Sequence, residues 1–486
     1  MSTRNKLNRR ELTMVNLFGN ASQSDPIYCY NTDTQFDLIT GDLVQGFDGK
    51  YYINGGLSSA VIGVLARPNM FKSTFSASLM ARIAAIYQQQ VAIFDSESSV
   101  NRGSERLLRM AGIHQPRVTS EQFIKFNALT EYDLDSTLAA LRDLVAQKKA
   151  RAKDLTFTTP FIDFRTGKKF QTLAPTLVLI DSLSEMHSSA EEELINGKQD
   201  KEGIYKGGEG IDGSKGNTVY MLDANKKTIF LRNVLRLASE GNLIIVCTAH
   251  YGDKLNLNSY GPSEKLTQWM KQDRAPKGVG SKFMFYTSPQ ILMESSKCLL
   301  DDAKECWYKL NGSTPKTDIN EVIALVQRCK NAASGTTFPY IVSQESGLLS
   351  DVTDYNYLKQ QKFGLLGNMV TQQCIFSPTV NLTRNTIRGV CQKDPKEVRA
   401  LQLASQLCYL QTAWSNDAVW NTFGFNIKVK PEELMDFLKS DKNKYTVDRL
   451  LTSRGYWLPE ELEKNGEYPE YLSIFDVLEA YEKSKK

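Results

Sequence analysis

One junction near residue 70 constrains the fold of this chain more than any other feature. An apolar run, Val61-Ile-Gly-Val-Leu-Ala66, is followed by a short loop, by the pair Lys72-Ser73 and by a helical pattern. In α/β proteins a strand, a loop and a helix in this order can hold a nucleoside triphosphate. Loop amides and the helix N-terminus face the phosphates, the lysine reaches the outer phosphates, and the hydroxyl binds Mg²⁺. The junction therefore predicts ATP and Mg²⁺ as ligands. The candidate binding residues are Arg67, Pro68, Asn69, Met70, Phe71, Lys72, Ser73 and Thr74.

The match to the usual phosphate-loop pattern, G-x-x-x-x-G-K-[ST], is incomplete. Ala66 and Phe71 stand where that pattern has glycine. Glycine serves there because the backbone passes close to phosphate, and a side chain restricts this approach. Taken alone, the segment fits a strand, a turn and a helix with a solvated lysine equally well. The decision depends on the rest of the chain.

The bulk composition excludes several classes of protein. The chain has 486 residues and a formal net charge of +4, so any affinity for nucleic acid must come from a local patch. Its eight cysteines contain no C-x-x-C pair and there are three histidines, which argues for reduced thiols and against structural zinc. No apolar run approaches the length that spans a membrane, and the basic residues 1–10 lead into no apolar signal segment. We therefore expect a soluble cytoplasmic protein with no membrane partner.

Short apolar runs alternate with longer helical patterns from Leu57 onward, which predicts βαβ units and a mostly parallel sheet. The predicted fold class is α/β, with a small N-terminal oligomerisation segment at 1–50, a core at 51–350 and a mainly helical C-terminal domain at 351–486. A β-hairpin at 154–175 and a glycine-rich surface loop at 187–219 interrupt the alternation. The predicted strands are 60–65, 91–94, 177–180 and 243–248, and the predicted helices are 73–88, 103–110, 133–149, 226–239, 395–414, 431–440 and 471–483.

Three strands of the predicted sheet end in side chains suited to phosphoryl transfer. Such chemistry needs a carboxylate that organises Mg²⁺, a residue that orients water and a sensor of the γ-phosphate. Asp181, Glu97 and His250 are the respective candidates, since each follows an apolar run. Because the carboxyl ends of parallel strands meet at one edge, where ligands bind, we expect the three to converge. Each of them alone has a commoner structural explanation, as a helix cap or an edge histidine.

The order of these segments resembles the RecA family of recombinases, and within it the phage UvsX-like branch. That branch also has phenylalanine before the lysine, Asp-Ser-Glu after the second strand and histidine where bacterial RecA has glutamine. The similarity extends over roughly residues 35–350 and leaves the C-terminus unmatched. The segments that carry it are Phe71-Lys72-Ser73, Phe94-Asp95-Ser96-Glu97, Leu179-Ile180-Asp181-Ser182-Leu183, Thr248-Ala249-His250-Tyr251, Lys277–Tyr286 and Arg328–Asn331.

The resemblance implies a RecA-like phosphate-loop NTPase core and a role for each matched residue. It implies that Lys72 contacts the outer phosphates, Glu97 activates water and His250 senses the γ-phosphate. Ser73 and Asp181 are then the residues that organise Mg²⁺. Arg328 or Lys330 reaches the ATP of the neighbouring subunit, and the sequence leaves open which pair in that strand does so. Ala66 departs from the family's glycine and could slow hydrolysis.

A basic and aromatic stretch directly after His250 is the candidate DNA-binding segment. Cations neutralise phosphates and aromatic faces stack on unpaired bases, which suits a single strand. Acidic residues such as Asp253 favour the alternative of an ordinary basic loop. The position of the segment decides for DNA binding, because it follows a γ-phosphate sensor directly and ATP could therefore order the DNA contact. The candidate DNA-binding residues are Lys254, Lys265, Lys271, Arg274, Lys277 and Lys282, and the interleaved rings are Tyr251, Tyr260, Trp269, Phe283 and Tyr286.

These features together predict a DNA-dependent ATPase that forms filaments on single-stranded DNA and promotes pairing and strand exchange with homologous duplex DNA. A phage protein of this kind would act in the host cytoplasm. The segment Phe18-Gly-Asn-Ala21 resembles the Phe-x-x-Ala segment by which some recombinases dock onto the next protomer. Two alternatives stay open. One is a hexameric DnaB-type replicative helicase, whose phosphate loop often carries Ala-Arg-Pro as at 66–68, and the other is a non-hydrolysing filament protein that coats DNA.

Overall fold

A computed structural model describes most of the chain. The segment Phe18–Ala21, the predicted helix at 103–110 and the candidate residues Lys254, Tyr260 and Lys265 lie outside the described residues. The described residues are 27–97, 123–127, 133–189, 197–199, 205–207, 216–253, 268–271, 274–280, 282–310, 314–440, 443–466 and 468–486.

Strands and helices alternate along the described core, as the sequence predicts. The strands are β1 (Cys29–Tyr30), β2 (Asp42–Gln45), β3 (Tyr51–Asn54), β4 (Leu57–Ser58), β5 (Val61–Ala66), β6 (Val91–Asp95), β7 (Phe123–Asn127), β8 (Thr156–Asp163), β9 (Lys168–Leu173), β10 (Thr176–Asp181), β11 (Gly197–Gln199), β12 (Tyr205–Gly207), β13 (Leu243–Asp253), β14 (Arg274–Lys277), β15 (Gln290–Cys298), β16 (Ile319–Arg328), β17 (Thr337–Ser343), β18 (Gly347–Leu348), β19 (Leu365–Gly367), β20 (Gln372–Cys374) and β21 (Ser377–Leu382). The helices are Phe36–Thr40, Lys72–Tyr87, Leu134–Ala150, Gly216–Gly241, Phe283–Tyr286, Ser350–Gln361, Ile387–Lys393, Pro395–Ala413, Asn416–Phe423, Pro431–Lys439, Val447–Leu451, Glu460–Asn465 and Ile474–Ser484. Among the residues described, no helix has the length and apolar character needed to cross a membrane.

The central sheet has the strand order β18-β17-β16-β15-β5-β13-β10-β6-β7, with β14 added to the end of β13. The strands from β15 to β7 in this order pair in parallel. The strands β16, β17, β18 and β14 pair antiparallel to their neighbours. The predicted α/β fold with a mostly parallel sheet is therefore confirmed.

β5 illustrates how the sheet is buried on both faces. Ile62 and Val64 belong to one hydrophobic core and Val61 and Leu65 to the other. Alternate side chains of a strand point to opposite faces, so a strand covered on both sides requires a continuous apolar run. The helix Lys72–Tyr87 covers the first face, and the helices that precede β8 and β13 cover the second.

The predicted strands correspond to β5, β6, β10 and β13, and the predicted hairpin at 154–175 is β8 with β9. Two predictions need correction. β13 continues beyond residue 248 to Asp253, because β14 pairs with its end. The helix predicted from residue 226 begins at Gly216 and includes the last part of the predicted loop at 187–219, within which β11 and β12 also pair.

The C-terminal part contains helices near the predicted positions, and it also contains short strands at residues 365–382 that the sequence analysis did not predict. β19, β20 and β21 form a small antiparallel sheet there. These strands have three, three and six residues, which is too short for a clear apolar alternation in the sequence. The C-terminal helices share a hydrophobic core with the region near β1, where the Trp457 indole N–H donates to the Cys29 carbonyl oxygen at 2.9 Å.

Candidate functional site

The ends of adjacent parallel strands form the candidate site. The strand order β5-β13-β10-β6 places the loop after β5, the end of β13, the end of β10 and the end of β6 side by side. The registers fix their levels, since Asp181 pairs with Asp95 and His250 pairs with Ala66. Residues far apart in the sequence therefore reach one edge, as expected for a doubly wound sheet.

Glu97 is the centre of the polar contacts at this edge. The Lys72 ammonium lies 3.0 Å from both Glu97 carboxylate oxygens, and His250 Nε2 lies 3.1 Å from Glu97 Oε1. Lys72 Nζ also lies 3.9 Å from Asp181 Oδ1. Glu185, in the loop after β10, also lies 3.4 Å from His250 Nε2 through its Oε1 atom. The structure thus brings together four residues that the sequence analysis selected one at a time.

Hydrogen bonds between β6 and β10 fix the position of Glu97. The Ser96 N–H donates to the Asp181 carbonyl oxygen at 2.8 Å, and the Ser96 hydroxyl donates to the Ser182 carbonyl oxygen at 2.7 Å. The Ser182 N–H donates back to the Ser96 hydroxyl at 2.8 Å. Because these groups are buried, breaking any of the bonds would leave an unsatisfied polar atom. The carboxylate of Glu97 is consequently held over the edge of the sheet.

The charges around Glu97 keep it ionised. The hydrogen bond with His250 and the contacts with Lys72 lower the pKa of Glu97 to about 2, against the opposing effect of partial burial. A carboxylate with this pKa accepts hydrogen bonds at neutral pH and has little tendency to take a proton. Its low basicity depends on hydrogen-bond partners that a phosphate group could attract away.

The loop between β5 and the following helix has an unusual backbone. Asn69 and Phe71 both have φ of 60°, in the left-handed region that favours glycine. Phe71 is the residue directly before the helix Lys72–Tyr87, and its half-buried ring packs against the hydrophobic core. The phenylalanine therefore adopts the backbone conformation that glycine usually supplies.

A cleft of about 610 Å³ lies over this loop and over Glu97 and His250. The bulky side chain at position 71 leaves it open. The cleft is lined by Arg67, Pro68, Asn69, Met70, Phe71, Lys72, Ser73, Thr74, Glu97, His250, Ser296, Cys298, Asn320 and Gln344. Sequence reasoning missed Ser296, Cys298, Asn320 and Gln344 because they come from the antiparallel side of the sheet and the turn after β17, where no motif marks them.

Ser73 and Asp181 offer oxygen atoms of the kind that Mg²⁺ prefers. The Ser73 side chain lines the cleft, and Asp181 is fully buried beneath Lys72. Within the described ranges, no group of three or more His, Cys, Asp or Glu side chains is placed to hold a metal ion. The oxygen chemistry of these two residues suits a Mg²⁺ ion that takes further ligands from phosphate and water, although Asp181 is not among the residues that line the cleft. Their role in holding Mg²⁺ stays a prediction.

The candidate DNA-binding segment is described in part. Lys271 and Lys282 are exposed, and Lys277 is half-buried opposite His250. Arg274 forms an ion pair with Asp253 at 3.0 Å, across the β13–β14 hairpin. The proposed stacking role needs correction for two aromatic rings, since Tyr251 and Phe283 are buried in the core.

Among the residues of this region that the structure describes, Trp269 and Phe285 carry exposed rings, with 42% and 62% of their surface accessible to solvent. Trp269 was among the predicted rings and Phe285 was not. Lys282 Nζ lies 5.2 Å from the centre of the Phe285 ring. An exposed aromatic ring beside a lysine is consistent with contact to a partner, and its exposure could not be read from the sequence.

Arg328 is the last residue of β16, and Lys330 follows two residues later. Neither is among the described residues that line the cleft. The Arg328 guanidinium donates to the carbonyl oxygens of Met284 and Phe285 at 2.8 and 2.6 Å. Lys330 is exposed. Their predicted contact with the nucleotide of a neighbouring subunit stays a prediction.

The chain was compared with models of known protein families and with curated proteins, and neither comparison found a match. The functional argument therefore rests on the geometry of the cleft and on the resemblance that the sequence carries.

Proposed function

We propose that this protein is a DNA-dependent ATPase that assembles on single-stranded DNA and promotes strand exchange with a homologous duplex. The observation that carries the proposal is the Glu97 carboxylate, held between Lys72 and His250 at the carboxyl edge of the parallel sheet. A lysine at the start of a helix, a strand-end acid and a polar sensor on the adjacent strand are the parts that ATP hydrolysis needs. The resemblance to RecA-type recombinases gives these parts their proposed roles.

The roles follow from the contacts of each side chain. Lys72 leaves Glu97 and pairs with the outer phosphates, which carry more negative charge than one carboxylate. Glu97, released from Lys72, becomes more basic and orients the attacking water. His250 loses part of its interaction with Glu97 and contacts the γ-phosphate. Ser73 and Asp181 would hold Mg²⁺, which neutralises charge on the phosphates when bound.

The proposed DNA contact lies on the hairpin that leaves the site. His250 belongs to β13, and β14 pairs with its end, so a shift at His250 reaches Lys277 directly. The exposed Lys271, Lys282 and Trp269 lie along the same segment and suit a single strand, because cations neutralise phosphate and rings stack on bases. Filament formation and the contribution of Arg328 or Lys330 to a neighbouring site belong to the same proposal.

The first test is ATPase activity with and without single-stranded DNA at several salt concentrations, together with negative-stain imaging. We expect stimulation by DNA that weakens as salt rises, and helical filaments in the presence of ATP. Closed rings would favour the DnaB-type helicase instead. Filaments without ATP turnover would favour the non-hydrolysing coat protein. Absence of both stimulation and filaments would refute the proposal.

The second test addresses Glu97. We expect Glu97→Gln to retain nucleotide binding and to lower ATP turnover by at least about 100-fold, since the amide cannot accept a proton from water. Glu240→Gln is the matched control, because Glu240 undergoes the same change in a surface ion pair with Lys149, away from the cleft. Equal loss of nucleotide binding and of turnover in Glu97→Gln would contradict the role assigned to Glu97.

A further inference from the structure

A serine in the loop after β10 joins the candidate site to the β13–β14 hairpin. Ser184 is buried, and its hydroxyl accepts a hydrogen bond from the His250 backbone N–H at 2.9 Å. The same hydroxyl donates to the Lys277 carbonyl oxygen at 2.9 Å. His250 and Lys277 are directly paired residues of the hairpin. One side chain therefore contacts both strands of the hairpin at the level of the proposed γ-phosphate sensor.

The backbone of Ser184 is itself anchored. The Lys227 ammonium donates to the Ser184 carbonyl oxygen at 3.0 Å and pairs with Asp223 at 3.0 Å. The Lys227 side chain is only 1% exposed, so losing either partner would leave a poorly compensated buried charge. The loop at Ser184 is consequently tied to the helix Gly216–Gly241 and has little freedom to move alone.

The end of the hairpin also packs tightly against this serine. Gly278 has a φ of +66°, and a Cβ built on it would lie 2.8 Å from the Ser184 carbonyl oxygen. Both the backbone conformation and this close approach favour glycine. Gly252, on the opposite strand of the hairpin, differs in both respects. A Cβ there would meet only the flexible side chain of Lys277, at 3.4 Å or more.

We propose that Ser184 is a positioning residue that couples the nucleotide state at His250 to the DNA affinity of the β13–β14 hairpin. The inference rests on the proposed function. Because Ser184 is anchored by Lys227, it serves as a fixed point against which His250 and Lys277 move. A displacement of the His250 backbone breaks or redirects the hydrogen bond to Ser184, and the Lys277 backbone on the facing strand responds. Glu185, the next residue, contacts the His250 side chain, so the same short loop contacts both the backbone and the imidazole of His250.

The test uses Ser184→Ala in the full chain and measures two ratios. The first is the ATPase rate with single-stranded DNA divided by the rate without it. The second is the affinity for a single-stranded oligonucleotide with ATP divided by the affinity without ATP. We expect both ratios to fall by at least about five-fold, the low end of a typical coupling. If Ser184 had only a structural role, its loss would lower the two rates together and the two affinities together. Both ratios would then stay unchanged.

Ser453→Ala is the matched control for this substitution. Ser453 has the same exposure as Ser184, 8%, and its hydroxyl donates to the carbonyl oxygens of Leu450 and Leu472 at 2.7 and 3.3 Å in the C-terminal part. The Ser453→Ala variant loses the same hydroxyl group from a comparably buried position away from the cleft. We expect both ratios to stay at the wild-type value.

Gly278→Ala and Gly252→Ala form an independent pair that leaves the Ser184 hydroxyl in place. We expect Gly278→Ala to lower both ratios, because the new methyl group separates the hairpin from the Ser184 backbone. Gly252→Ala should keep them. Since Ser184→Ala and Gly278→Ala disturb one junction, the double variant should lose less coupling than the product of the two single losses.

Each outcome decides one question. A wild-type protein without DNA stimulation overturns the proposed function and this inference with it. A stimulated wild-type protein whose Ser184→Ala and Gly278→Ala variants keep both ratios overturns the inference alone. Should Ser184→Ala fail to fold, the two glycine variants decide the matter by themselves.

Discussion

The two edges of the parallel strands each hold a buried lysine, and the surroundings of the two differ. At the carboxyl edge, Lys72 lies beside the carboxylates of Glu97 and Asp181 in an open cleft. At the amino edge, the Lys148 ammonium donates to the Ala174 carbonyl oxygen at 2.7 Å and to other neutral oxygens. An anion such as phosphate can replace a carboxylate partner, whereas a backbone carbonyl stays in place. The comparison therefore separates the lysine that we propose to bind phosphate from a structural one.

The electrostatics of Lys148 follow from this difference. Burial lowers the pKa of Lys148 to about 7, because desolvation penalises the charged form and the surrounding oxygens are neutral. The hydrogen bonds join the helix Leu134–Ala150 to the starts of β10 and β13. Lys148 thus fastens helix to sheet at the edge opposite the cleft.

Removing each lysine in turn is the strongest test of the comparison. We expect Lys72→Ala to lower ATP turnover by at least about 100-fold, because a preorganised charge aimed at the phosphates is lost. We expect Lys148→Met to keep turnover within a few-fold of the wild type. Steady-state ATPase assays, together with binding of a fluorescent ATP analogue, measure both. Similar losses in the two variants would remove the distinction between the edges.

The carboxyl edge could be predicted from the sequence because its residues follow apolar strands in a fixed order. Glu97, Asp181 and His250 each stand where a run of buried residues ends. Parallel topology then brings such ends together, whatever separates them in the chain. The local strand, loop and helix pattern marked Lys72 as a candidate, and the three strand ends decided in its favour.

The remaining features depend on tertiary contacts that leave no local pattern. Lys148 stands beside Lys149 near the end of a helix, where basic residues are common for reasons of helix dipole alone. Its buried ammonium contacts Ala174 and Asn242, which are both distant in the sequence. The far wall of the cleft, including Asn320, lies on antiparallel strands whose polar residues look like ordinary surface positions. The strands β19 to β21 were missed because they are too short to set a clear apolar alternation.

The pH dependence of stability tests the assignment of Lys148. Its pKa is about 7 in the folded state and ordinary, near 10.5, in the unfolded chain. Between these values the unfolded chain binds more protons, so the free energy of unfolding rises with pH. We expect the wild type to gain up to about 1.4 kcal/mol per pH unit relative to Lys148→Met between pH 7 and 8.5.

Urea titrations of both proteins at several pH values measure this difference in slope. The comparison between the two proteins removes the contribution of other groups that titrate nearby, such as Asp354, whose pKa burial raises to about 7. Parallel slopes would mean that Lys148 is charged in the folded protein.

The smallest expected effect concerns the helix Lys72–Tyr87, which spans from one edge to the other and has a non-glycine residue in the left-handed region at each end. Phe71 occupies that conformation at the cleft and Gln88, with a φ of 52°, at the opposite end. Gln88 is exposed and its amide donates to the Tyr468 hydroxyl at 2.7 Å. Since glycine has no steric penalty there, we expect Gln88→Gly to raise the free energy of unfolding by about 0.5–1 kcal/mol relative to Gln88→Ala, with ATP turnover unchanged.

Gln88→Ala is the appropriate reference because it loses the same hydrogen bond and keeps the Cβ. Urea unfolding of the two variants isolates the backbone contribution, and equal stability would show that Gln88 is not strained. The substitution Phe71→Gly would relieve the same backbone conformation, but it also removes a half-buried ring beside the cleft. If glycine raises the free energy of unfolding at position 88 but not at position 71, the side chain of Phe71 contributes to stability at the cleft. The side chain of Gln88, at the opposite edge, then does not.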